Sequence, residues 1–303
     1  RKLDDLFAMQ DEITNKIFYE MHVKLTIGER AHDWQKHFGD PEGMRLHMKG
    51  SDRLLTFTLD GHQDAERIYG ELYKKNPEGG MGNLDMGWIH WQKIVMGLTN
   101  DPKQSIKLGR DFGEKAHANM GDGGSLTLLA WFDLFKQDFE SAIENARRAT
   151  EISPSDGNTA AIAGTVYRNS GKSEESAILL KRAMRLQPYH PKWYAWQLGI
   201  SLLVLEKYDE AEEIFEAVLK SDTEIVSDKY AALAGLAVIS VFRQNLENAE
   251  KYASQLRELV AFGKKFSISV LAPIFGLMKD QEFAKSFLDA VQQLEVPEKP
   301  PSG

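Results

Sequence analysis

No cysteine occurs in the 303 residues. That excludes a disulfide framework, thiolate zinc sites, iron–sulfur clusters and thiol nucleophiles, and it fits a reducing compartment. Long apolar runs are also missing. The longest nearly unbroken one, Ala231 to Phe242, falls short of the roughly 20 residues that a bilayer-spanning helix needs, so it reads as a buried helix and no membrane insertion is expected. Positive charge is not in excess. The 37 Lys and Arg stand against 45 Asp and Glu, a formal net charge of −8, which argues against a nucleic-acid partner. No alternating strand pattern of any length stands out. The first residue is Arg1, and charges and amides interrupt the apolar positions from Leu3 to Ile17, so no signal peptide is read there. The expectation is a cytoplasmic fragment of something longer.

What is present is periodic. The prolines, at 41, 77, 102, 154, 188, 191, 273, 297, 300 and 301, fall almost entirely between helix-like segments. Inside those segments, small and apolar residues recur at helical spacing. Ala142, Ile143, Ala146, Ala149 and Ile152 form one such face, and Ala177, Ile178, Leu180, Ala183 and Leu186 the next. Ala211, Ile214, Phe215, Val218 and Leu219 repeat it, as do Ala249, Tyr252, Ala253, Leu256 and Leu259. Short gaps at Gly171-Lys172, Glu206-Lys207 and Gln244-Asn245 separate paired helices. Superposing the pairs puts Ala142, Ser176, Ala211 and Ala249 at one place, in steps of 34, 35 and 38 residues. A period of about 34 built of helix–turn–helix units is that of a tetratricopeptide-type solenoid.

The stretch Gly157–Pro188 resembles a tetratricopeptide repeat through Gly164 and Tyr167 in its first helix, Gly171 at its turn, and Ala183 and Pro188 at its end. Ser176 replaces the usual alanine. The unit before it, Gly123–Pro154, keeps Ala142, Ala149 and Pro154 but has Asp133 where an aromatic residue is expected. The unit from Lys192 keeps Leu198, Gly199, Tyr208, Ala211 and Phe215, and its successor keeps Leu236 and Ala249. Leu46–Pro77 and Gly80–Gly121 are more divergent, the latter with a lengthened second helix over Asp101–Asn119. The resemblance implies an all-α, right-handed TPR solenoid of about six helix pairs over residues 40–265. A helical extension, residues 1–39, would precede it. Residues 266–303 would supply a capping helix, Gln281–Leu294, with Phe283, Phe287, Leu288 and Val291 inward, and a frayed tail.

Both flanks carry a narrower resemblance. Leu3–Glu29 and Phe266–Pro297, the latter through Pro273, Lys279-Asp280, Leu288 and Pro297, resemble the segments that enter and close the repeats of bacterial TolB-like, class III adenylate/guanylate cyclase proteins. In that family a cyclase domain, or a DNA-binding or kinase domain, lies upstream. The resemblance implies a non-catalytic scaffold or regulatory module in signal transduction, binding a protein, a peptide or a second copy of itself. No catalytic residue, cofactor or metal is expected in the chain. The alternative is the repeat region of a transcription regulator or a small-ligand sensor.

Near misses in chemistry support that expectation. Gly171-Lys172-Ser173 ends like a phosphate-binding loop, but the loop requires glycine at position 166, which is Val166. The glycine clusters at 79–82 and 121–124 lack a dinucleotide fingerprint and read as inter-repeat links, the second as a bend between halves of the array. None of the eight histidines forms HExxH, and only His32 and His37, with Asp33, share a short polar stretch.

The surface is the remaining source of function. Repeat geometry puts first helices on the concave face. The candidate partner-binding residues there are Trp131, Phe135, Arg168, Asn169, Trp193, Trp196, Ile200 and Phe242, with Trp88 and Trp91 extending the stripe. Two readings stay open for them: anchors of a peptide groove, or core. A third is coverage of the groove by the amphipathic segment Leu3–Leu25.

Overall fold

The computed structural model describes residues 37–38, 41–221, 223–261 and 264–299. The segment Leu3–Leu25 lies outside them. Twelve helices follow one another as six pairs: α1 (Pro41–Leu54) with α2 (Leu59–Lys75), α3 (Gly80–Val95) with α4 (Pro102–Met120), and α5 (Gly123–Phe135) with α6 (Phe139–Ile152). Then come α7 (Gly157–Asn169) with α8 (Ser173–Leu186), α9 (Lys192–Val204) with α10 (Tyr208–Lys220), and α11 (Val226–Phe242) with α12 (Leu246–Glu258). The second helix of the second pair is the longest of those described, at 19 residues.

Local chemistry sets the ends of these helices. Asp101, Asp122, Asp138, Asp156 and Asn245 each turn a side-chain oxygen onto a backbone N–H of the first turn they precede, satisfying donors the helix leaves open. Between paired helices the chain makes one turn repeatedly. The N–H of Asp138, Lys172, Lys207 and Asn245 donates to the carbonyl of Asp133, Tyr167, Leu202 and Ser240, the six-to-one bond of a Schellman motif. The residue just before each, Gln137, Gly171, Glu206 or Gln244, has positive φ. Gly171 of the Gly-Lys-Ser stretch is therefore a turn residue. The glycine clusters are junctions as well: Gly121, at φ 63°, caps α4, and Gly82 sits inside α3, where a Cβ would come 3.0 Å from the Tyr73 backbone.

Packing follows the two-layer plan. First helices of successive pairs touch one another, and α5, α7, α9 and α11 are buried along nearly their whole length. The second helices bury mainly one small-residue face, such as Ala142, Ala146 and Ala149 of α6. Gly164 allows that closeness: a Cβ there would lie 2.9 Å from Leu180. Ala183 is fully buried on the facing side. Replacing it by Phe is expected to overpack this interface and cost about 1–3 kcal/mol, read as a lowered urea midpoint.

Asp133 departs from the repeat pattern for a visible reason. Its carboxylate, almost wholly buried, accepts hydrogen bonds from Arg110 of α4 and from Asn145 of α6 at 2.7 Å. An ion pair thus joins the second and third pairs at the position where the next pair carries the Tyr167 ring.

After α12 a two-residue β1 (Val260–Ala261) pairs antiparallel with β2 (Lys264–Lys265). A 3-10 turn (Ile268–Val270), the one-turn α13 (Ala272–Phe275) and α14 (Gln281–Gln293) follow. Helix α14 puts Ala284, Phe287, Ala290 and Val291 into the same core cluster as Leu233 and Leu236 of α11, and exposes Glu282, Lys285 and Asp289. Phe275 stacks on Phe287 with centroids 4.1 Å apart.

Candidate functional site

An aromatic cavity of about 100 Å³ opens on the inner face. Trp91 and Val95 of α3, Trp131 of α5, and Trp193, Trp196 and Gln197 of α9 line it. Ile225, Ser227, Asp228 and Tyr230 come from the start of the sixth pair, and Leu55 and Phe57 from the turn of the first. The array therefore curls until its first and last pairs face one space. The rings meet edge to face: Phe57 and Trp91 at 6.0 Å and 89°, Trp91 and Trp131 at 5.4 Å and 66°. Such crossed aromatic rings are favourable contacts that leave a walled gap.

One carboxylate belongs to this wall. Asp228 is 1 % exposed. It accepts hydrogen bonds from Trp196 Nε1 at 3.0 Å and from the Thr223 hydroxyl at 2.9 Å. Burial pushes its pKa up, because the charged form has lost water.

The chain's own C-terminal segment closes one side of the groove. Ile274 lines the cavity, and Leu277 packs against the cluster that holds Trp131 and Val166. The Lys279 N–H donates to the Asn169 carbonyl at 2.6 Å. The amphipathic segment Leu3–Leu25, the candidate for such coverage by its sequence, lies outside the described residues; among those described the coverage comes from 274–279, a stretch with no long amphipathic period.

The candidate residues separate into three groups. Trp131, Trp193 and Trp196 line the cavity, with Trp193 half-buried and the other two buried. Phe135 is half-buried beside Trp131 and Phe132, and Phe242 packs on Tyr208; neither belongs to the cavity wall. Arg168, Asn169 and Ile200 lie beneath the surface. Arg168 donates to the Gln197 side chain, which itself lines the cavity. Its burial lowers its pKa to about 9, so the guanidinium stays charged at neutral pH. The reading missed Phe57, Asp228 and Ile274, which come from turns and helix starts where periodicity carries no signal. In sequence Asp228 has the position of an ordinary acid in the first turn of a helix.

None of the described histidines lines this groove. His90 stacks on Phe112 at 5.7 Å, its Nδ1 has no hydrogen-bond partner, and burial holds its pKa down to about 4. A histidine depressed in the folded state stabilises fully above its unfolded pKa near 6.5 and loses that contribution as pH falls towards 4. His90→Phe is therefore expected to flatten the fall in stability between pH 6.5 and 4, measured by urea unfolding at both ends. His37 lines a separate hollow with Phe38 and Lys75. His32 and Asp33 are outside the described residues, among which no group of three His, Asp or Glu could hold a metal ion. None of the described helices is long and apolar enough to cross a membrane.

Known proteins agree with this architecture. The tetratricopeptide repeat family matches residues 197–263. A Rhizobium meliloti (strain 1021) protein whose name assigns it to the adenylate cyclases is 29 % identical over 100 residues, which is 33 % of this chain and 16 % of that protein. The APC/C hetero-tetramer Cut9-Hcn1 superposes with a TM-score of 0.53 at 13 % identity, covering 88 % of this chain and 53 % of that one. A human IFIT1 dimer with PPP-AAAA gives a TM-score of 0.50 at 11 % identity, covering 78 % and 68 %. At such identities the structures speak for the fold alone. Period, paired helices, repeated turns and these superpositions together make the chain an all-α solenoid of tetratricopeptide type.

Proposed function

We propose that the chain is a non-catalytic interaction module of a bacterial signalling protein related to the adenylate/guanylate cyclases, with the concave aromatic face as its partner surface. The observation that carries this reading is the groove itself. Four first helices and the turn of the first pair supply one continuous aromatic lining, and extended apolar surface of that kind anchors peptides and partner helices. The partial match to the Rhizobium protein supports the cyclase connection. A catalytic role would need convergent ionisable groups in the cleft, and Asp228 stands there as the sole acidic lining residue.

Replacing Trp193 by the photo-crosslinker p-benzoylphenylalanine in the native host tests the surface. Adducts of defined mass are expected from position 193 and not from a control at Lys181 on the outer layer. No adduct at 193, or equal adducts at both, would sink the reading. Light scattering over a concentration range assigns the partner: a mass near twice 34.2 kDa makes it a second copy of the chain, and a constant monomer makes it another protein.

The sensor alternative has one specific observation in its favour, the aromatic cavity with a buried carboxylate in its wall.

A further inference from the structure

We propose that the cavity at the centre of the concave face binds a quaternary ammonium group, surrounded by Trp91, Trp131, Trp193 and Trp196 and balanced by the Asp228 carboxylate. This goes beyond the partner surface above and does not depend on it. Three observations converge.

The first is the wall. Aromatic side chains from four first helices and from the turn of the first pair line the space, and the rings of Phe57, Trp91 and Trp131 cross at steep angles. Aromatic rings attract cations through their quadrupoles, and several rings around one site form the arrangement that recognises quaternary ammonium ligands.

The second is charge. Asp228 is buried, yet its two hydrogen bonds come from neutral donors, an indole N–H and a hydroxyl. Among the described residues no cation stands within ion-pair distance of it, and Lys192 acts on it only from further away. A buried carboxylate without a counter-charge is costly. A cationic ligand in the adjoining cavity would offset that cost, whereas an uncharged apolar ligand would not.

The third is size and donor count. A cavity of about 100 Å³ that opens on the groove takes one small head group whose remainder lies outside, and it is far too small for a nucleotide. Lysine and arginine heads bring several N–H donors, and the cavity wall is mostly hydrocarbon and indole. A quaternary nitrogen has no N–H to satisfy. Ile274 of the C-terminal segment closes one side, so a bound head group would be largely withdrawn from water, where the attraction to rings is strongest.

The test compares choline with 3,3-dimethylbutan-1-ol, which has the same shape with carbon in place of the charged nitrogen. Tetramethylammonium is measured beside them to separate the head group from the hydroxyl arm. Calorimetry and tryptophan fluorescence on the full chain are expected to show saturable choline and tetramethylammonium binding, with choline at least about tenfold tighter than its neutral isostere. Asp228→Asn keeps acceptor capacity for Trp196 and is expected to weaken choline about tenfold while leaving the isostere unchanged. Equal or tighter binding of the isostere would overturn the proposal and make the cavity an apolar anchor. Absence of saturable binding by both cations would overturn it too. The wild-type comparison stands by itself should Asp228→Asn fail to fold. A chain that binds choline yet gives no crosslinks at position 193 would retain this inference and lose the partner surface.

Discussion

Phe215→Ala is expected to cost about 4 kcal/mol, the largest loss of any single truncation considered for this chain. The side chain is fully buried, and two glycines make room for it. A Cβ at Gly199 of α9 would fall 2.6 Å from its ring, and a Cβ at Gly235 of α11 would fall 2.4 Å from it. One ring thus fills the gap shared by α9, α10 and α11. Truncation empties that gap from both sides at once, and glycines have no side chain with which to refill it. The cost is therefore the lost transfer energy plus a cavity that relaxes poorly. Urea unfolding measures it. In an array whose units contact mainly their neighbours, the damage should be local: hydrogen exchange in α9–α12 is expected to rise well before that in α5–α8. A shift below about 1 kcal/mol would mean that the pairs collapse around the missing ring. Gly235→Ala offers the opposite insult at the same place and should also destabilise, since the ring has no free space into which to retreat.

Asp133→Ala is expected to cost about 3 kcal/mol. The carboxylate is 2 % exposed and receives Arg110 and Asn145, so its loss strands two donors. Arg110 is the less penalised of the two, because its side chain is 27 % exposed and keeps Glu114 as a partner; this places the figure at the lower end of what breaking a buried pair costs. The control is restoration of an apolar contact. Asp133→Phe with Arg110→Leu is expected to recover most of the stability, because replacing both members of a buried pair by packed hydrocarbon is often neutral. A double variant no more stable than Asp133→Ala would show that the ion pair also sets the geometry between the second and third pairs.

The two cases differ in how far they could be read in advance. Phe215 and Gly199 stand at repeat positions in the sequence, and a small residue opposite a large one is legible wherever the period is known. Asp133 was legible only as a departure. Its partner Arg110 lies in the divergent second pair, and nothing in the spacing links the two. The site shows the same division. The indoles at 131, 193 and 196 sit on the inner helices by repeat register, and the structure places them in the cavity wall. Arg168, Asn169 and Ile200 share that register but lie beneath the surface, because a helix face defined to within one residue cannot distinguish a groove floor from the layer below it.

Helices, their pairing and the repeat are legible in the spacing of residues along the chain. Caps, turns and small-residue faces act between residues a few positions apart, and the physics that selects them is local. Tertiary structure alone decided what shares the cavity. In a solenoid the curvature accumulates from small rotations of each pair against the next, and close fits such as Phe215 against Gly199 and Gly235 fix how neighbouring pairs meet. The sum of those rotations over six pairs brings Phe57, Trp91, Asp228 and Ile274 around one space. Contacts that depend on an accumulated rotation leave no spacing in the chain by which to find them.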